Sequence, residues 1–261
     1  MVQHCGYLSR EKLRDLRSLD SVKIRRRKGL CMVEGERSLM EALRCGNLIY
    51  LVVSDERTEG SRFPAGKPGL SNLPCYTLER ANFRQLTDVK AGTGLFGVAS
   101  IPPQHDPHEL GDHPGRANLF YLDGVQEPGN VGALIRTAWA LGFAGVLLGD
   151  GTADPFSAKG VRASAGGVFS LPLYGGVGAP EIEELESKGF SLFVAAGSGQ
   201  DYRTIDFPDR SILALGNEGS GSSKWVLQSG QAVGIPLAEG VDSLNVVVAG
   251  GIIAGRMSAM I

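Results

Sequence analysis

The sequence lacks any run of about 18 apolar residues, the length that a transmembrane helix needs. Its first residues, MVQHCGYLSREKLRDL, also lack the apolar core of a secretory signal peptide. Cysteine is scarce, and no CxxC pair is present. We therefore expect a cytoplasmic protein without membrane contact, in which all the cysteines are free thiols in a reducing compartment: Cys5, Cys31, Cys45 and Cys75.

Histidine is scarce too, and its distribution does not favour a metal site. Besides His4, the chain has His105, His108 and His113 in a proline-rich stretch that contains no cysteine. Zinc sites combine histidine with cysteine or carboxylate ligands in a defined geometry. We expect these histidines to be solvated, and we expect no metal ion.

Charges of the two signs are unevenly distributed along the chain. Residues 1–100 carry 17 Lys and Arg against 11 Asp and Glu, whereas the remainder carries 9 against 17. The first part is therefore basic and the rest acidic, although the net charge of the whole chain is only −2. A basic part favours contact with a polyanion.

The chain of 261 residues is long enough for two domains. Residues 1–100 alternate short apolar runs, at 30–33, 48–53 and 95–99, with helical patterns, which predicts a small α/β domain. Residues 101–117 contain four prolines and little apolar sequence, which is typical of a linker. In residues 118–261, short apolar strands alternate with helices, which predicts a mostly parallel, doubly wound sheet.

Polar residues follow two of the predicted C-terminal strands, at the end where open α/β sheets bind ligands. After the strand that ends at Asp123, Asn130 occupies a predicted helix N-cap and Arg136 lies in an otherwise apolar helix. A solvated arginine is the alternative for Arg136. After the next such strand, Gly216-Asn217-Glu218-Gly219 offers backbone groups and a carboxylate to a ligand, unless it is only a glycine-rich turn.

A third polar cluster precedes the last helix. A strand is predicted to end at Leu237, and Ser243, the predicted N-cap, opens an apolar helix together with Asn245. Small residues in that helix predict very close packing: Ala249, Gly250, Gly251, Ala254 and Gly255. A capped core helix would explain the small residues but not the whole Ser-Leu-Asn cluster.

Taken together, these clusters resemble the motifs of the SpoU (TrmH) family of RNA ribose 2′-O-methyltransferases. The matching motifs are Asn130-x-Gly132-x-x-x-Arg136, Gly216-Asn217-Glu218-Gly219 and Ser243-Leu244-Asn245-Val246. The resemblance runs from Asn118 to the C-terminus, and residues 152–173 resemble members that act on ribosomal RNA. Val247 departs from the pattern, in which serine is common at that position.

The resemblance implies methyl transfer from S-adenosyl-L-methionine to a ribose 2′-OH, with 23S-type ribosomal RNA as the substrate. It also implies a Rossmann-like sheet with a trefoil knot, and a homodimer formed through the C-terminal domain. The cofactor-binding residues that it implies are Gly216, Ile235, Leu244, Asn217, Leu237 and Ala196. The catalytic residues that it implies are Arg136, Asn130, Glu218, Ser243 and Asn245.

The first domain carries a second resemblance. Residues 28–43, KGLCMVEGERSLMEAL, resemble the ribosomal-protein-like RNA-binding domain that often precedes this catalytic domain. The best candidates for contact with RNA phosphates are Lys23, Arg25, Arg26, Arg27 and Lys28. A solvated helix face is the alternative for this basic run.

Three other functions remain open at this point. The chain could be a catalytically inactive RNA-binding factor in ribosome assembly, or a transfer-RNA 2′-O-methyltransferase. A nicotinamide-dependent oxidoreductase would use a similar sheet, but Gly197-Ser198-Gly199 is followed by Tyr202 where the dinucleotide fingerprint needs glycine.

Overall fold

The structure is a computed structural model, and it describes residues 5–56, 69–87, 94–112 and 115–258. His4 and His113 lie outside these ranges. The strands in these ranges are β1 Gly6–Tyr7, β2 Leu30–Glu34, β3 Leu48–Ser54, β4 Cys75–Leu78, β5 Leu95–Ser100, β6 Leu119–Asp123, β7 Gly145–Leu148, β8 Leu173–Gly175, β9 Ser191–Asp201, β10 Ser211–Gly216 and β11 Gln231–Gly234. The α-helices are α1 Arg10–Ser18, α2 Val22–Lys28, α3 Glu36–Arg44, α4 Arg80–Leu86, α5 Pro128–Ala140, α6 Ala158–Ala163, α7 Ala179–Ser187, α8 Lys224–Ser229 and α9 Val246–Met257.

The chain divides into two compact units. Unit 1 comprises Met1–Pro102 and Pro155–Ser170, and unit 2 comprises Pro103–Asp154 and Leu171–Ile261. The sequence predicted a domain boundary near residue 100. The chain first passes from unit 1 to unit 2 close to that position, after Pro102. Residues 155–170 belong to unit 1, whereas the sequence analysis assigned them to the C-terminal domain.

Unit 1 is built on a mixed sheet with the strand order β1-β4-β3-β5-β2. The predicted apolar runs 30–33, 48–53 and 95–99 form β2, β3 and β5, as expected. Strands β1, β4 and β3 are parallel, and β5 runs antiparallel to β3 and β2. Buried leucines of the α1 region pack on the central strands, and this core includes Leu16, Leu19, Val52, Phe96 and Val98.

Cys5 and Cys75 form a disulfide, so the prediction of free thiols is wrong for these two residues. They are 70 positions apart in sequence, but β1 pairs with β4 and brings their Cα atoms to 4.8 Å. Cys31, which is buried, and Cys45, which is half-buried, form no disulfide among the described residues. The pairing depends on strand order, which the cysteine spacing does not reveal.

The segment 155–170 adds α6 to unit 1 through specific contacts. Arg162 Nη1 lies 3.0 Å from the buried Glu34 Oε2, and Ser38 Oγ donates a hydrogen bond to the carbonyl of Val161. Ser170 Oγ donates to the carboxylate of Glu41. A long-range ion pair and two hydrogen bonds thus explain why this segment clusters with the first unit, which no local pattern in the sequence indicates.

Unit 2 is a parallel sheet with the strand order β11-β9-β10-β6-β7-β8, which confirms the predicted parallel architecture. Helices α5 and α9 pack against each other, and α9 also packs on β10. A Cβ at Gly250 would come within 3.0 Å of side-chain atoms of Leu215 and Leu134, which confirms the predicted close packing at that position. At Gly251 the nearest atom is 4.0 Å away, so the same reason does not apply there.

Both predicted N-caps in unit 2 are wrong. Glu127 caps α5 by accepting a hydrogen bond from the N–H of Gly129, and Asn130 lies inside the first turn. The cause is Pro128, because proline favours the first helical position. At α9 the cap is Asn245, whose Oδ1 accepts from the N–H of Val247, and not Ser243.

The last strand is shorter than predicted. The sequence placed its end at Leu237, but β11 ends at Gly234. Pro236 follows, and proline has no N–H to donate to a neighbouring strand. Residues 235–245 therefore leave the sheet as a loop before α9 begins.

Candidate active site

A cavity of about 540 Å³ opens in unit 2 where β9, β10 and β11 meet the loop before α9. Its size is typical of small-molecule sites. The described residues that line it are Ala195, Ala196, Gly197, Leu215, Gly216, Asn217, Glu218, Gly219, Gly221, Val233, Ile235, Leu237, Asp242, Ser243, Leu244, Asn245, Val246, Ala249 and Ile253. The wall thus combines apolar side chains with exposed backbone and a few polar groups.

Most of the residues singled out in the sequence come together here. All six residues expected to bind the cofactor line the cavity: Ala196, Gly216, Asn217, Ile235, Leu237 and Leu244. Three of the five expected catalytic residues line it as well, namely Glu218, Ser243 and Asn245. Asn130 and Arg136 do not line it.

Glu218 joins the loop after β10 to the start of α5. Its carboxylate accepts hydrogen bonds from the N–H groups of Gln126 and Glu127 at 3.1 and 3.2 Å, and from Asn130 Nδ2 at 2.9 Å. Burial by itself raises the pKa of Glu218, but the hydrogen bonds from Asn130 and from backbone N–H groups outweigh it and lower that pKa below its ordinary value. An ionised carboxylate at this position also interacts favourably with the N-terminus of α5.

Asn217 and Asp123 hold the same loop against β6. Asn217 Nδ2 donates to the carbonyl of Gly124 at 3.0 Å, and its Oδ1 accepts from the N–H groups of Gly219 and Ser220. The buried Asp123 accepts a hydrogen bond of 2.6 Å from the N–H of Ser223. Asn217 therefore shapes the loop through its side chain as well as lining the cavity.

Two glycines of the cavity wall differ in their surroundings. A Cβ at Gly216 would stand 2.2 Å from the backbone nitrogen of Ser222, because the loop folds back on the end of β10. At Gly197 a Cβ would meet nothing within 4 Å. Since Gly197 lines the cavity, a side chain there would occupy space that is open to a ligand.

Arg136 lies on α5 with an exposed side chain. No hydrogen bond or ion pair joins its guanidinium to any residue in the described ranges. Asn130, six residues earlier, is held by Glu218. The charge of Arg136 is therefore available to a partner that approaches from solvent.

Sequence reasoning missed three residues of this region: Asp123, Gly197 and Asp242. Asp123 ends a predicted strand and Gly197 follows an apolar run, so the rule that ligands bind at strand ends could have indicated both. Asp242 directly precedes the Ser243 motif, but it lines the cavity only because the loop 235–245 folds over it. No local sequence pattern predicts that Asp242 lines the cavity.

The five basic residues of α2 have different surroundings. Lys23, Arg26 and Arg27 are exposed, whereas Lys28 Nζ lies 2.7 Å from Asp15 Oδ1. Arg25 is only 5% exposed, and its guanidinium donates to the carbonyls of Leu19 and Asp20. The prediction that Arg25 contacts an RNA phosphate is therefore wrong, because its guanidinium is buried and hydrogen-bonded within unit 1.

No group of three or more potential metal-ligating side chains occurs in the described ranges. Within the same ranges, no helix has both the length and the apolar character that crossing a membrane requires.

Comparison with known proteins extends the resemblance. Residues 117–255 match the model of the SpoU rRNA Methylase family. The chain is 30% identical over 246 residues to a 23S rRNA (guanosine(2553)-2′-O)-methyltransferase of Bacillus subtilis, covering 93% of this chain and 94% of that protein. It is 31% identical to a 23S rRNA (adenosine(1067)-2′-O)-methyltransferase of Streptomyces azureus, covering 85% and 83% of the two chains.

Solved structures agree over nearly the whole chain. An rRNA methyltransferase of Sinorhizobium meliloti with bound AdoMet superposes with a TM-score of 0.80 at 27% identity, covering 97% of this chain and 95% of that one. A putative RNA methyltransferase of the TrmH family from Porphyromonas gingivalis superposes with a TM-score of 0.76 at 28% identity, covering 97% and 99%. The family model spans more than half of the residues, and this chain belongs to the SpoU rRNA methylase family.

Proposed function

We propose that this protein transfers a methyl group from S-adenosylmethionine to a ribose 2′-OH of 23S ribosomal RNA. The observation that carries the proposal is that two of the three motifs line one cavity, while Asn130 of the third is hydrogen-bonded to Glu218 in its wall, in a chain of the SpoU family. Its relatives in Bacillus subtilis and Streptomyces azureus are 23S rRNA 2′-O-methyltransferases. The proposed place of action is the cytoplasm, because ribosomal RNA is the proposed substrate.

The cavity fits this cofactor chemically. Leu215, Ile235, Leu237 and Ile253 offer apolar surface to an adenine ring and a methionine chain, and Gly197 leaves open space in the wall. The loop residues offer backbone N–H and C=O groups for hydrogen bonds to a purine and a ribose. When bound, S-adenosylmethionine supplies an electrophilic methyl group on a sulfonium centre.

The protein then has to position the ribose and to assist loss of the proton from its 2′-OH. Arg136 is the proposed catalytic residue. It acts through its positive charge and not as a general base, because a guanidinium keeps its proton in proteins. It holds the RNA phosphate next to the target ribose and stabilises the negative charge that develops on the 2′-oxygen. Asn130 and Glu218 position α5 for this purpose, and Ser243 and Asn245 orient the ribose from the opposite loop.

A methyl-transfer assay tests the proposal. Purified protein, 23S rRNA and radiolabelled S-adenosylmethionine should yield label in RNA, and complete nuclease digestion should recover it in a 2′-O-methylated nucleoside. Label in a base, or label only in transfer RNA, would contradict the assignment. An absence of label despite demonstrated binding of RNA would favour an inactive assembly factor.

We further propose that unit 1 contacts RNA phosphates through the exposed residues Lys23, Arg26 and Arg27, supported by Lys28. The basic balance of residues 1–100 supports this role. Replacing Lys23, Arg26 and Arg27 with alanine should lower RNA affinity and flatten its dependence on salt. The slope of log affinity against log salt should change by roughly 0.7–0.9 for each phosphate that is no longer neutralised. Arg80→Ala, which removes an arginine paired with Glu56, is the control and should leave the slope unchanged.

We propose a homodimer formed through unit 2, because Trp139 of α5 and Val248 and Ile252 of α9 are exposed apolar residues on two helices that pack together. Since Trp139 is one helical turn from Arg136, a partner subunit at this face would complete the site.

We also propose that the chain forms the trefoil knot of the family. The path of the last segment supports this proposal. After β11, at the edge of the sheet, the chain passes β9 and places α9 on β10. An experimental structure that traces residues 234–246 unambiguously would test this threading.

A further inference from the structure

Asp242 is a carboxylate in the cavity wall without a partner of its own. It lines the cavity beside Ser243, and its side chain is exposed. No hydrogen bond or ion pair joins it to any residue in the described part of the chain. A free carboxylate in a small-molecule site is available to a cationic group of the ligand.

The other charge in the cavity wall is already engaged. Glu218 accepts hydrogen bonds from two backbone N–H groups and from Asn130, all at the start of α5. None of the described lining residues is lysine, arginine or histidine. Asp242 is therefore the free charge of this wall, and its sign is negative.

S-adenosylmethionine brings two positive charges and one negative charge to such a site. Its ammonium and carboxylate groups belong to one amino acid and compensate each other, whereas the sulfonium has no counterion within the molecule. An unpartnered carboxylate therefore gains most from the sulfonium. The transfer step converts this sulfonium into a neutral thioether, so the charge distinguishes the cofactor from its product.

We infer that Asp242 recognises the sulfonium charge and makes the protein favour S-adenosylmethionine over its neutral product, S-adenosylhomocysteine. The inference rests on the proposed function of the cavity. It adds a residue that discriminates between cofactor and product, and so assists product release after each transfer. The position next to Ser243 agrees with this, because the sulfonium must lie where the reacting ribose is held.

Calorimetric titration of the full chain with each of the two ligands tests the inference. For Asp242→Asn, the dissociation constant of S-adenosylmethionine should rise about 5- to 10-fold, the effect of one charge pair about 4 Å apart in a largely aqueous environment. That of S-adenosylhomocysteine should change less than about 2-fold. The difference should shrink in 1 M salt, where the Debye length falls to about 3 Å.

Glu239→Gln is the matched control. It removes a carboxylate from the same exposed loop, but Glu239 does not line the cavity. Its binding constants for both ligands should match those of the wild-type protein, and both variants should keep the wild-type thermal midpoint without ligand.

Two results would overturn the inference. Equal weakening of both ligands by Asp242→Asn would show a structural role or a contact with the ammonium group. If Asp242→Asn binds S-adenosylmethionine as tightly as the wild-type protein does, Asp242 does not recognise the sulfonium. Failure of the proposed role of the cavity as the cofactor site looks different, because the wild-type protein would then bind neither ligand.

Discussion

At the residue scale, the polar side chains of unit 2 differ in what they already bind. Glu218 and Asn217 are engaged by hydrogen bonds within the fold, and they shape the backbone around the cavity. Arg136 and Asp242 bind nothing within the described residues. Engaged groups hold the loops of the site in place, whereas Arg136 and Asp242 carry charges of opposite sign that are proposed to meet RNA and cofactor.

The role of Arg136 leads to a prediction about activity. Arg136→Ala should abolish methyl transfer while leaving the affinity for S-adenosylmethionine nearly intact, because Arg136 does not line the cavity. Transfer assays and cofactor titration measure the two effects separately. Arg136→Lys keeps the charge but not the planar donor array, so it should restore only a small part of the rate. Turnover close to that of the wild type in Arg136→Ala would exclude this residue from the mechanism.

Glu218 leads to a prediction about stability and pH. Its pKa is lowered in the folded protein, because the hydrogen bonds from Asn130 and backbone N–H groups outweigh the opposing effect of burial. The ionised carboxylate therefore stabilises the fold above its ordinary pKa of 4.5, and this contribution is lost as the pH falls through the lower folded value. Glu218→Gln should be less stable than the wild type at pH 7, as measured by urea unfolding. The two proteins should converge at acid pH, and an equal difference at both pH values would contradict this account.

At the scale of elements, apolar periodicity predicted much of the fold. The strands at 30–33, 48–53 and 95–99 and the parallel sheet of unit 2 follow from short apolar runs bounded by turns and helices. The predicted cap of α5 was wrong because Glu127 and Pro128, upstream of Asn130, begin the helix earlier. The disulfide and the placement of 155–170 depend on contacts between distant segments, which no local pattern contains.

In the candidate site, too, the residues within local motifs could be predicted from the sequence, whereas those placed by contacts between distant segments could not. Gly216, Glu218 and Asn245 lie in motifs at strand ends, so strand prediction and family resemblance together locate them. Asp242 enters the cavity through the path of a loop, and Arg25 is removed from the basic surface by burial. Both outcomes depend on tertiary packing.

The turn after β10 gives a prediction at this scale. Gly216→Ala should destabilise the protein by about 1–3 kcal/mol, because its Cβ would overlap the backbone of Ser222. Gly219→Ala is the matched variant in the same loop, where the nearest atom to a Cβ is 3.6 Å away, and it should keep the wild-type free energy of unfolding. Denaturant unfolding compares the two. Equal stability of both variants would show that the loop relaxes around the added methyl group.

At the scale of the whole molecule, basic charge and the cavity are unevenly distributed between the two units. The basic first hundred residues suit an RNA backbone, and the cavity lies wholly within unit 2. The apolar residues Trp139, Val248 and Ile252 remain exposed on unit 2. Exposed apolar groups on neighbouring helices are typical of an interface, and here a second copy of the chain is the proposed partner.

The proposed dimer predicts the effect of a single surface charge. Ile252→Glu should shift the protein from dimer to monomer in sedimentation equilibrium, because an unpaired carboxylate would be buried at the contact. Leu227→Glu changes an exposed apolar residue on α8 and should leave the dimer intact. A wild-type protein that sediments as a monomer at micromolar concentration would contradict the dimer directly.

Mapping of 2′-O-methylation across total cellular RNA is the decisive measurement for methylation of a ribose 2′-OH in 23S ribosomal RNA. Cells with the gene, cells without it and cells carrying Arg136→Ala should be compared. One or more 23S ribose positions should be methylated only when the wild-type gene is present. Identical maps for all three strains, or a gene-dependent methyl group on a base, would contradict it.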